Sequence, residues 1–168
     1  MAEDLVSAER LEAGRRYLDA LDTLGFVPDG AMWSVRRGEP DTLELSLFSR
    51  FVDRIGTGRM FEVLFEAHER ARTPPEFDPW YVGLYSPRQA LYEMAQDLTF
   101  ETPGKAAMVI HGGTGTFLGD RFEGVEDFRI ERIVESAWVY RPLSPRTDQS
   151  VDLSRRWKRF EQAVAKAA

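Results

Sequence analysis

The sequence predicts an α+β domain, a mainly antiparallel or mixed sheet of about four to five strands covered by helices, with an amphipathic helix at the C-terminal end. Three observations carry that expectation. Leucines recur at helical spacing through residues 5–24, alternation about a turn marks residues 31–48 as a hairpin, and the later elements lack the regular crossovers of a parallel sheet.

In the first element Leu11, Leu18 and Leu21, flanked by Ala8 and Leu24, share one helical face, while Glu9, Arg10, Glu12, Arg16 and Asp19 share the other. Gly25 and Pro28 follow, a glycine able to close the helix and a proline unable to continue it. Ala31 to Arg37 and Thr42 to Phe48 flank Gly38-Glu39-Pro40-Asp41 as the arms of the hairpin, with Leu43, Leu45 and Leu47 pointing inward. From Ser49 the pattern turns helical, breaks at Gly56-Thr57-Gly58, and resumes with Met60, Phe61, Leu64, Phe65, His68 and Ala71 on one face. Pro74-Pro75 ends that helix. Tyr81 to Tyr85 is a short strand candidate, and Ser86-Pro87-Arg88-Gln89 reads as a capping box opening a helix whose stripe is Ala90, Leu91, Met94, Ala95 and Leu98. Ala106 to His111 is the most apolar strand candidate, and residues 126–140 fit a helix or a strand, with strand expected for the last part. A Pro/Ser/Thr-rich linker at 142–152 leads to the last helix, ridged by Leu153, Trp157, Phe160 and Val164. Residues 1–168 thus read as one globular domain.

Composition narrows the function classes. The 28 acidic and 22 basic side chains give a formal charge of −6, a field that repels phosphate and makes a general nucleic-acid binder unexpected. The absence of cysteine removes disulfides, thiolate zinc sites and cysteine nucleophiles. The longest apolar run, Ala106 to Ile110, falls far short of a membrane helix, and the acidic start is no signal peptide, so a cytoplasmic location with no membrane contact is expected.

Few motifs carry chemistry. His111-Gly112-Gly113-Thr114-Gly115 follows an apolar strand, and glycines there let backbone amides converge on an anion; Asp120 or Glu123 could orient the histidine. The His-Gly-Gly portion resembles the oxyanion-hole segment of α/β-hydrolases, over only about five residues, but the chain has no Gly-x-Ser-x-Gly elbow and the hydrolase family is not adopted. A tight loop between strands is the weightier reading. His68, among Phe61, Leu64 and Phe65, reads as a structural ring. Asp120, Glu123, Glu126, Asp127, Glu131 and Glu135, interleaved with Arg121, Arg129 and Arg132, read as a salted surface rather than a metal site. No metal and no cofactor is expected.

Two segments suit partners. Pro74 to Tyr81 is a stiff aromatic stretch holding Phe77, Trp80 and Tyr81. Residues 141–168 hold 7 bases and 3 acids, against 15 and 25 in the rest of the chain, and Arg155, Arg156 and Arg159 surround Trp157 and Phe160 on the last helix. A docked helix whose bases answer an acidic body outweighs a free recognition helix. Enzymatic activity is left open. The leading expectation is a non-catalytic interaction or accessory protein with a protein partner or a second copy of itself. The alternative is a small enzyme or ligand-binding domain gripping an anionic molecule with the 111–115 loop.

Overall fold

The computed structural model describes residues 6–36, 39–89, 91, 92, 95, 105–111, 116, 117, 120, 121, 129–142 and 152–166, with side chains for all of these except 40, 105–111, 116, 117, 120, 121 and 129–131. The first helix, α1 (Ala8–Leu24), starts where the Ser7 side chain accepts from the Arg10 amide, and stops at Gly25, whose φ of 100° is left-handed. Strands β1 (Gly30–Arg36) and β2 (Glu39–Phe48) form the hairpin, with Ser34 opposite Glu44 and Met32 opposite Ser46. Two helices follow, α2 (Phe51–Ile55) and α3 (Thr57–Glu69), split at Gly56, where φ is 85°. They carry the chain across so that β3 (Val82–Tyr85) pairs parallel with β2.

Beyond them lie β4 (Lys105–His111), the short pair β5 (Thr116–Phe117) and β6 (Asp120–Arg121), then β7 (Arg129–Glu135) and β8 (Val139–Arg141). Residues 129–141 resolve the helix-or-strand ambiguity of that stretch: β7 and β8 both run antiparallel to β1, interrupted by a 3-10 turn at Ser136–Trp138 that buries the Trp138 ring. The main sheet runs β3-β2-β1-β7-β4, with β8 paired beside β1. The fold is therefore α+β on a mixed sheet.

One face of the sheet presents Trp33, Val35, Leu43, Leu45, Leu47 and Leu84 to Tyr17 and Leu21 of α1, to Met60 and Leu64 of α3 and to the last helix, α4 (Leu153–Ala165). Each such apolar side chain contributes roughly 1.5–3 kcal/mol on burial. In α3 the buried stripe is Met60, Val63, Leu64 and Ala67, while Phe61, Phe65 and His68 are half-buried. The expected stripe is thus rotated, because the helix turns its smaller residues to the sheet.

The other face is also covered. Phe48, Met32, Tyr85 and Val134 pack there with Leu91, Tyr92 and Ala95, helical residues that follow the capping box. That box forms through the Ser86 amide, which donates to Gln89 Oε1 at 2.8 Å. Ala90, Met94 and Leu98 of its expected stripe lie outside the described residues, as does most of the 142–152 linker.

Candidate functional site

The glycine loop falls outside the described residues at Gly112, Gly113, Thr114 and Gly115. The backbone of His111 ends β4 opposite Arg129, and that of Asp120 pairs with Phe117 across β5 and β6. Among the described residues no three His, Cys, Asp or Glu side chains group to hold a metal ion. His68 is half-buried with its Nδ1 3.5 Å from the Thr73 hydroxyl.

The aromatic segment divides. Phe77 is buried, its ring stacked on Tyr17 at 4.1 Å, so it belongs to the core rather than to a surface. Tyr81 is half-buried beneath the Arg10 guanidinium, which lies 4.9 Å from the ring centroid and donates to the phenol. Trp80 is 81% exposed, although its ring lies 4.8 Å from that of Phe65. The turn beneath it is rigid for a local reason: Asp78 accepts from the Trp80 amide at 2.9 Å, and Pro79 opens the 3-10 turn Pro79–Tyr81.

The C-terminal helix is docked. Trp157 and Phe160 are buried against Phe26, and Trp157 also meets Phe51 at 5.5 Å, which removes Trp157 from the candidate contact surface. Arg156 lies over the Phe51 ring, whereas Arg155 and Arg159 are exposed. Across this interface Arg59 of α3 holds Glu161 of the helix at 2.9 Å, so that an acid of the helix answers a base of the body.

The constellation that sequence reasoning missed lies on the second sheet face. Alternation along each strand brings Ser34 of β1, Glu44 and Ser46 of β2, Tyr85 of β3 and Arg132 of β7 to the same side. Arg132, expected on a salted surface, is 3% exposed, because its strand is an inner one covered on this face. Its Nη1 donates to Ser34 Oγ at 2.8 Å and to Glu44 Oε1 at 3.2 Å, and its Nη2 donates to Tyr85 at 3.1 Å. Tyr85 in turn donates to Glu44 Oε1 at 2.7 Å, and Ser46 donates to the same oxygen at 2.9 Å. Since the Ser46 proton is engaged there, the 3.3 Å link between Ser34 and Ser46 is donated by Ser34.

The hydrogen bonds close into a ring that starts and ends on Arg132. Burial, then the neighbouring Glu44 charge, push the Tyr85 phenol well above its ordinary value, which keeps its proton available to donate. Gly83 makes room for the ring: a Cβ there would collide with the Glu44 carboxylate. Arg132 Nε is buried without a hydrogen-bond partner. The signal available in sequence was the alternation of Glu44 and Ser46 with the inward leucines, which reads as solvent-facing unless the second face is known to be covered.

No family model, no curated protein sequence and no solved structure matches the chain. No helix among the described residues is long and apolar enough to cross a membrane.

Proposed function

We propose that this protein acts by contact, as a non-catalytic interaction or accessory module that anchors a protein partner on Trp80. The observation that supports the reading is an indole 81% exposed on a turn fixed by Asp78 and Pro79. Large aromatic rings held rigidly lose little entropy on binding and dominate interface energetics. Phe65 of α3 lies beside the ring, so the exposed indole extends from a partly apolar surface. The partner that fits is a protein with an apolar pocket able to take an indole ring.

The other three tryptophans, Trp33, Trp138 and Trp157, are buried, so fluorescence quenching by acrylamide reports mainly on Trp80. The test isolates complexes with the tagged wild-type chain and with Trp80→Ala, then reconstitutes any partner from purified components. Expected are protection of the indole from acrylamide in the complex and a loss of about thirtyfold in affinity for the variant, the effect of a hot spot worth about 2 kcal/mol. Equal affinity of both forms with no protection of Trp80 refutes the reading.

A further inference from the structure

We propose that the outer face of α4 is a second contact surface, which receives an acidic stretch of a partner protein on Arg54, Arg155, Lys158 and Arg159. Its residues and its chemistry are separate from those of the Trp80 anchor. Trp157, Phe160 and Val164 turn one face of α4 into the core. Helical spacing places Arg155, Lys158, Arg159 and Gln162 together on the opposite face, and all four are exposed. Exposed Arg54 of α2 joins them, because its Nε donates at 3.1 Å to the hydroxyl of Ser154, one turn before Lys158.

These cations have no acid of their own. Among the described residues Arg54, Arg155, Lys158 and Arg159 form no ion pair. The acids nearest in sequence are engaged elsewhere: Asp152 accepts from the Arg155 amide, Glu161 from Arg59 and Asp53 from the Ser86 hydroxyl. By contrast Arg15, Arg16 and Arg70, also exposed, each have a carboxylate within 3.5 Å. Nor does the helix gain from the arrangement. Arg155 stands in the first turn, at the positive end of the helix dipole, and repels Lys158 and Arg159 at the three and four spacings.

Carboxylates suit the stripe, since guanidinium groups take them in paired hydrogen bonds. Residues 1–140 carry 25 acids against 15 bases, so the body flanking the stripe repels an extended polyanion, whereas a short acidic segment touches the stripe alone. The apolar face of α4 is buried in the core, which leaves no group to insert into a bilayer. The stripe also carries no aromatic ring on which bases could stack.

The test titrates the full chain into a fluorescein-labelled deca-glutamate peptide and reads anisotropy, beside a short DNA duplex and vesicles of phosphatidylcholine with phosphatidylserine. Expected is saturable peptide binding that weakens as sodium chloride is raised, with weaker binding of the duplex and the vesicles. The variant carrying Arg155→Gln, Lys158→Gln and Arg159→Gln is expected to lose about tenfold in affinity. A variant with the same loss of charge at the paired positions, Arg15→Gln, Arg16→Gln and Arg70→Gln, is expected to bind as the wild type does. Because the stripe charges repel one another, its variant should also melt no lower than the wild type, which a stabilising role for these side chains would not give. Failure of the peptide to bind, tighter binding of the duplex or the vesicles, equal losses in the two variants, or a lower melting temperature of the stripe variant overturns the proposal.

Discussion

Gly83→Ala adds a single methyl group, yet the structure assigns it a cost far above that of an ordinary strand substitution. The new Cβ would lie inside the contact distance of the Glu44 carboxylate carbon and oxygens. Glu44 is the mobile partner, so its side chain swings away and gives up the hydrogen bonds from Tyr85, Ser46 and Arg132. Glu44, a quarter exposed, recovers water; Arg132 does not and is left buried without its counter-charge. Breaking a buried pair by removing one partner costs about 3–5 kcal/mol, and the partial exposure of Glu44 puts this case near about 3 kcal/mol. With a urea m-value of about 2 kcal/mol/M the unfolding midpoint falls by roughly 1.5 M. Urea denaturation followed by circular dichroism measures it, in the wild-type and the Glu44→Ala backgrounds. Since the clash is with the carboxylate, Gly83→Ala is expected to cost almost nothing once that carboxylate is gone, giving a coupling energy of about 3 kcal/mol. Equal costs in both backgrounds would refute the reasoning, because the methyl group would then be acting on something other than Glu44.

Tyr140→Phe removes the hydroxyl that accepts from Trp33 Nε1 at 2.7 Å and donates to the Leu11 carbonyl at 2.6 Å. With the Trp33 side chain fully buried, the expected loss is about 1–3 kcal/mol, and an unchanged melting temperature refutes it. Alkaline pH should unfold the chain: burial first of all pushes the phenols of Tyr17, Tyr85 and Tyr140 above their ordinary value, that of Tyr140 to about 12. Groups whose folded pKa is raised bind more protons in the native state, so their stability is present below pH 10 and is lost as pH rises from there through the folded values. Tyrosinate absorbance should then appear together with loss of the circular dichroism signal, and full ionisation of all five tyrosines in a still-native chain contradicts this. Trp80→Ala, by contrast, is expected to change stability by no more than about 0.5 kcal/mol, since the ring is exposed. A larger loss in a thermal melt would make the indole a structural element and remove the basis for its role as an anchor.

The parts of the fold that were legible are those where one local pattern decides the outcome. The leucines of α1 and the alternating Leu43, Leu45 and Leu47 can satisfy their periodicity in only one way, and both elements formed as expected. The aromatic ridge of the last helix was legible for a related reason, since Trp157 and Phe160 need burial and the body supplies it. The rotation of α3 was not, because Phe61 and Phe65 are larger than Val63 and Ala67, and ranking positions by hydrophobicity chose the larger ones. Only the packing distance to the sheet selects the smaller face.

The polar ring was hidden for a deeper reason. Its five side chains come from four strands and span residues 34 to 132, and each is unremarkable within its own segment. Glu44 and Ser46 look like the wet side of a hairpin, and Arg132 looks like one of several surface arginines. What changes their meaning is the parallel addition of β3, which sets Gly83 beside Ser46 and Tyr85 beside Phe48, so that a strand with a missing side chain borders a strand with a carboxylate. That juxtaposition is a property of register and not of any local motif. It also accounts for the network's shape: Arg132 reaches Glu44, Ser34 and Tyr85 from β7, and the vacancy at Gly83 lets the carboxylate lie where all three meet. Four strands held in one register by this ring give β7 a fixed position relative to β3, an arrangement that apolar side chains on the same face would leave less uniquely determined.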